Sequence, residues 1–88
     1  MTTKRDDSIT VTVRSFVPAL HPPAGYVFGE PFQLQLPRGI TAKELAEGIL
    51  ARNIDRLGIT AINGKAAPGH AVLFQGDRVD LFALIEGG

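Results

Sequence analysis

Few side chains in this sequence could do chemistry by themselves. There are two histidines, His21 and His70, and no cysteine. His21 stands beside Pro22-Pro23 and His70 precedes an apolar stretch. A metal site built on them would need carboxylates at set positions, and none is apparent. Without cysteine there is no disulfide framework, thiolate metal site or iron–sulfur cluster. A Ser-His-Asp triad would have to use Ser8 or Ser15, and neither lies on a nucleophile elbow. Asp77 follows Gly76 and reads as a turn residue, while Asp80 reads as the polar face of a strand. The scattered glycines never form a phosphate loop followed by Lys-Ser or Lys-Thr. What remains is the ending Leu84-Ile85-Glu86-Gly87-Gly88. Two glycines make a thin tail that can enter a narrow channel and present a carboxylate, because only glycine lets another backbone approach so closely. The alternative is an incidental end.

Composition narrows the classes further. The 88 residues allow one domain. Such a domain buries only about 60% of its unfolded surface, so its core must be economical. Hydrophobic residues make up 44% of the chain, enough for a globular core. Lys+Arg and Asp+Glu are nine each, and the basic residues are scattered, which disfavours nucleic acid as a partner. The start Met1-Thr2-Thr3-Lys4-Arg5-Asp6-Asp7-Ser8 lacks the apolar core of a signal peptide. The longest apolar run, Leu81 to Ile85, is far short of the roughly 20 residues of a membrane span. The expectation is a cytoplasmic protein with neither membrane nor nucleic acid among its partners.

The elements that must position the tail can be read from periodicity. Residues 1–8 form a polar lead-in. Ile9-Thr10-Val11-Thr12-Val13-Arg14 alternates with period two, which predicts a half-buried strand with Ile9, Val11 and Val13 inward. Residues 18–31 hold most of the proline and predict a long loop, in which Tyr26 and Phe28 could fold back over the core. Phe32-Gln33-Leu34-Gln35-Leu36 predicts a second strand. Thr41-Ala42-Lys43-Glu44 matches a capping box. The helix it opens carries Leu45, Ala46, Ile49 and Leu50 on one stripe and is expected to reach about Arg52. Ile54 and Leu57 either continue it to a stop at Gly58 or sit in a packed connection. Ile59 to Ile62 predicts a third strand, closed by the hairpin signal Asn63-Gly64. Ala71-Val72-Leu73-Phe74 is short and apolar. Arg78 to Ile85 reads as the last and longest strand, covered on both faces. The expected fold is α+β: a mixed sheet of four to five strands, one main helix across it, and the first and last strands parallel at the centre. It occupies 9–85 as a single domain, with 86–88 as a flexible tail.

This order, with the hairpin Ile62-Asn63-Gly64-Lys65, the run Leu73-Phe74-Gln75-Gly76-Asp77-Arg78-Val79-Asp80-Leu81 and the closing Gly87-Gly88, resembles the MoaD/ThiS family of ubiquitin-like sulfur-carrier proteins over about residues 9–88. The resemblance implies a β-grasp fold and a carrier that is not itself an enzyme. It implies that an E1-like adenylating enzyme uses Mg-ATP to adenylate the carboxylate of Gly88, with no cofactor bound by the carrier. A persulfide sulfur donor would convert the acyl-adenylate to a thiocarboxylate, and a sulfur-accepting enzyme would then take the sulfur. By the length of the loop after the first strand, the likeness is nearer the molybdopterin synthase small subunit, whose partner is the synthase large subunit, than the thiamine-type carriers. The proline-rich 18–31 departs from the helical segment often found there. Carriers serving a tungsten cofactor, another metabolite or tRNA would look much the same. A ubiquitin-like modifier conjugated through Gly88, or a non-catalytic interaction module, remain alternatives.

A docking face should lie beside the tail residues Glu86, Gly87 and Gly88. Phe74, Phe82 and Leu84 are candidates for it, with burial in the core as the alternative for each, and Arg78 and Glu86 are candidate rim charges.

Overall fold

The computed structural model describes residues 7–20 and 22–85. Of the expected lead-in at 1–8, residues 1–6 lie outside the described residues, as do His21 and 86–88, while Ser8 is the first residue of the first strand. In chain order the elements are β1 (Ser8–Ser15), β2 (Phe32–Pro37), α1 (Ala42–Leu50), a 3-10 segment (Ala51–Arg56), β3 (Leu57–Ile62), β4 (Lys65–Ala67) and β5 (Arg78–Ala83). The five strands form one mixed sheet in the order β2-β1-β5-β3-β4. Only β1 and β5 are parallel, side by side at the centre, with Val13 opposite Val79 and Ser15 opposite Leu81. The helix crosses one face of the sheet, which is the β-grasp arrangement.

Alternation explains which face the helix covers. Ile9, Val11, Val13 and Ser15 of β1 are buried, as are Val79 and Leu81 of β5. They pack with Ala42, Leu45, Ala46, Ile49 and Leu50 of α1 in one core that also takes in Val17, Phe32 and Leu73. The helix starts at a complete capping box. The Glu44 amide donates to Thr41 Oγ1 at 3.2 Å, and the Thr41 amide donates to Glu44 Oε1 at 3.0 Å. Each bond satisfies an amide left open at a helix start.

Several expectations change on contact with the structure. The α-helix stops at Leu50, short of Arg52, where Ala51 turns to φ 51°. That backbone is uncommon for a residue with a Cβ and breaks the α ladder. The chain continues as a 3-10 turn whose Ile54 still packs on the core. Gly58 is not a helix stop but part of β3. Residues 71–74 form no strand. Val72 makes an isolated bridge to Thr41, and only Leu73 is buried. The last strand ends at Ala83 rather than Ile85, and its second face is open: Arg78 and Phe82 are exposed and Asp80 is half-buried. A strand can be central in the hydrogen-bonded plane and still have only one face under a helix.

Asn63-Gly64 forms the expected hairpin turn between β3 and β4, with φ of 53° and 87° at its two residues. Positive φ at both central positions suits this tight turn, and Asn and Gly tolerate it best.

Candidate functional site

The open face of the sheet is where β1 and β5 place the side chains that alternation keeps out of the core. Arg14 of β1 pairs in register with Asp80 of β5, and its Nε lies 3.1 Å from Asp80 Oδ1. The same guanidinium sits 5.3 Å from the centre of the Phe16 ring. Phe16 stacks on Phe82, with ring centres 5.6 Å apart and planes 7° from parallel. Phe28 meets Phe16 edge-on at 6.4 Å. Ile59 of β3 lies directly across from Phe82 and is 56% exposed. Phe16, Phe28, Phe82 and Ile59 thus form a continuous apolar patch with one ion pair at its margin. Exposed Phe28, Phe82 and Ile59 gather about the half-buried Phe16, and such an apolar patch is a candidate surface for another protein.

Phe28 reaches this patch because the proline-rich segment is fastened rather than free. The Gly29 amide donates to Ser15 O at 2.8 Å, which returns the segment to the end of β1. Asn53 Nδ2 donates to Pro18 O at 2.8 Å and ties its start to the 3-10 turn. Tyr26 and Phe28, two residues apart, then go to opposite sides. Tyr26 packs against the core with its ring edge-on to Phe32 at 5.4 Å. Phe28 goes to the open face and stays 53% exposed. The expectation that both fold over the core therefore holds for Tyr26 only.

The sequence-based site residues are placed as follows. Phe82 is at the centre of the patch. Leu84 immediately follows β5, is exposed, and lines a groove with Val17, Pro18, Asp55, Arg56 and Ala83. Its amide donates to Arg56 O at 2.7 Å, so the chain just after β5 is held by the 3-10 turn. Phe74 is exposed too, but it sits in the turn before β5. Arg78 is the first residue of β5. Both are therefore at the far end of the strand from Leu84, roughly 20 Å away at about 3.3 Å per strand residue. The geometry brings Phe82 and Leu84 together and leaves Phe74 and Arg78 apart from them. Glu86, Gly87 and Gly88 are outside the described residues.

Arg14, Phe16 and Ile59 were not singled out from the sequence, and Phe28 was expected over the core. Phe16 shares the even-numbered parity of Arg14, and that parity was the available signal that it faces outward. Ile59 and Phe28 carried no such signal, since their positions depend on strand pairing and on the fastened loop.

Two of the groups that could have suggested catalysis, Ser15 and Asp77, are engaged elsewhere. Ser15 is fully buried, its hydroxyl donating to Val17 O at 2.8 Å and accepting from the Val17 amide at 3.1 Å. Asp77 accepts from Asn63 Nδ2 at 2.9 Å and from the Phe74 amide at 2.8 Å. Among the described residues, no group of three or more histidines and carboxylates is placed to hold a metal ion. No helix of the described residues is long and apolar enough to cross a membrane.

No family model matches the chain, and no curated protein matches it. Solved structures do. One is a candidate molybdopterin converting factor, subunit 1, from Pyrococcus furiosus, with a TM-score of 0.59 at 17% identity, covering 88% of this chain and 99% of that one. Another is the Haloferax volcanii HVO 2177 protein in solution, with a TM-score of 0.67 at 16% identity, covering 100% of this chain and 94% of that one. At these identities the likeness concerns the fold.

Proposed function

We propose that this chain is a sulfur carrier whose Gly88 carboxylate is adenylated by an E1-like partner and converted to a thiocarboxylate, in the synthesis of a molybdopterin-type cofactor. The observation that carries the reading is the layout of β5. The central strand leads from the open-face patch at Phe82, through the pinned Leu84, toward Gly87-Gly88. The fold shared with the Pyrococcus furiosus protein supports the pathway named.

The division of labour follows from the chemistry. A carboxylate is a poor electrophile, and adenylation gives it a leaving group. The terminal sulfur of a persulfide displaces AMP to give an acyl disulfide, and a second thiol then cleaves its S–S bond, forming a disulfide with the donor and leaving the thiocarboxylate, whose sulfur is a soft nucleophile. None of these steps asks for a catalytic side chain on the carrier. The carrier supplies the end group and a face by which the activating enzyme, and then the sulfur-accepting enzyme, can hold it. The patch of Phe16, Phe28, Phe82 and Ile59 is the docking face in this reading, and Leu84 lies between it and the tail.

Intact mass spectrometry of the protein purified from its native host tests the proposal. The expected species carries one oxygen replaced by sulfur, mapped to Gly88. An adduct joining Gly88 to a lysine of another protein would instead make the chain a modifier. Full sulfur transfer by a chain lacking Gly88, in a reconstitution with the host's activating enzyme, would overturn the carrier reading.

A further inference from the structure

We infer that Gly58 is a positioning residue for the C-terminal tail, acting through the backbone of Leu84. The kinetic part of this inference rests on the sulfur-carrier reading; the structural part does not. The pairing of β3 with β5 runs Ile62–Val79, Ala61–Asp80, Thr60–Leu81 and Ile59–Phe82, and then jumps to Leu57–Ala83. Gly58 is the extra residue of this irregularity. An inserted residue bends its strand and changes the direction in which the neighbouring chain leaves the sheet.

The need for glycine here is one of space. Gly58 is not among the glycines with positive φ, so a residue with a side chain could adopt its backbone. A Cβ added at Gly58, however, would lie 2.8 Å from Leu84 Cα, 3.0 Å from Leu84 N and 3.0 Å from Ala83 O. All three are backbone atoms, so no rotamer change relieves the contact. At Gly25, Gly39, Gly48, Gly64 and Gly76 an added Cβ meets nothing within 4 Å. Among these glycines and Gly58, only Gly58 is closed by the root of the tail.

Leu84 is therefore held from two sides. Its amide donates to Arg56 O at 2.7 Å, and its Cα rests against the bare Cα of Gly58. Both contacts come from consecutive parts of one segment, the end of the 3-10 turn and the start of β3. The four residues that follow Leu84, Ile85 to Gly88, span at most about 14 Å when extended, so the position of the root sets which partner site the carboxylate reaches. Misplacing a reacting group by about 1 Å can cost on the order of 100-fold in rate.

The test is Gly58→Ala in the full chain, read in two ways. Amide hydrogen exchange reports the anchor directly: the Leu84 amide should exchange at least about 10-fold faster than in the wild type while the amides of Val79 and Leu81 keep their protection. Steady-state thiocarboxylate formation, with the host's adenylating enzyme, Mg-ATP and a persulfide donor, reports the consequence: kcat should fall about 10-fold or more with KM little changed, because the patch is untouched. Unchanged protection at Leu84, or unchanged kcat with the anchor lost, overturns the inference. A second measurement does not depend on how the variant folds. In the wild type, 15N relaxation should find Leu84 as ordered as Phe82, and a markedly lower order parameter at Leu84 also overturns it. If the wild type accepts no sulfur at all, the carrier reading fails, and the exchange and relaxation results still decide the role of Gly58.

Discussion

Replacing Asp77 with alanine should cost this small domain a measurable part of its stability, because one carboxylate joins two turns. Its Oδ1 accepts from Asn63 Nδ2 at 2.9 Å, across to the β3–β4 hairpin. Its Oδ2 accepts from the Phe74 amide at 2.8 Å, within the turn before β5. Asn63 completes the link. Its Oδ1 accepts from the Arg78 amide at 2.9 Å, and its own amide donates to Arg78 O at 2.8 Å. A hydrogen bond to a charged group contributes about 1.5–3 kcal/mol when well sheltered, and this carboxylate is only half-buried, so about 1 kcal/mol for each bond is reasonable. Loss of both gives about 2 kcal/mol, or a fall in Tm of roughly 8–16 °C for a domain of this size. Urea unfolding of Asp77→Ala, Asn63→Gly and the double variant measures the shared bond. Glycine is the right partner change because Asn63 has φ 53°, and alanine would add backbone strain to the lost hydrogen bonds. The two changes should be less than additive by about 1 kcal/mol. A loss below about 0.5 kcal/mol for Asp77→Ala, or additivity within about 0.3 kcal/mol, would show that the link does not hold the turns together.

Two further outcomes are expected. Gly48→Ala should raise stability by about 1 kcal/mol, since Gly48 lies inside α1 and an added Cβ meets nothing within 4 Å; a Tm equal to or below the wild type would contradict the helix-propensity argument. Phe28→Ser with Ile59→Thr alters two of the most exposed patch residues, so thermal unfolding should change by no more than a few degrees. In thiocarboxylate formation the same pair should raise the KM for the carrier about 10-fold, and an unchanged KM would remove the patch from the docking face.

The local elements follow from local rules. Period-two alternation at Ile9–Val13 and Phe32–Leu36 specifies strands whose inward residues are those found in or packed against the core. Thr41 with Glu44 specifies the start of α1, and Asn63-Gly64 specifies the hairpin, because each depends on atoms no more than three residues apart. The end of α1 was not legible. Leu50 and Ile54 both pack on the core, although the chain leaves the α conformation at Ala51 between them.

The candidate site was legible only in part, because its parts come together through long-range pairing. Phe82 and Leu84 could be assigned to one end of the last strand from the sequence. Phe74, equally apolar and close in sequence, is carried to the other end by the turn that Asp77 closes. Phe16 becomes a neighbour of Phe82 only because β1 and β5 lie parallel. Alternation shows that a strand has two unlike faces, but which strand lies beside it, in what register, is a choice of the whole chain. Gly58 makes the same point at the scale of one atom. As a letter it read either as the stop of a longer helix or as the residue after a packed connection. Its place against Leu84 exists only once β3 and β5 are paired with one residue to spare. The sequence by itself determined the first two strands, the helix start and the hairpin. The tertiary structure decided which face is open, which rings share it and how the chain after β5 is held at Leu84.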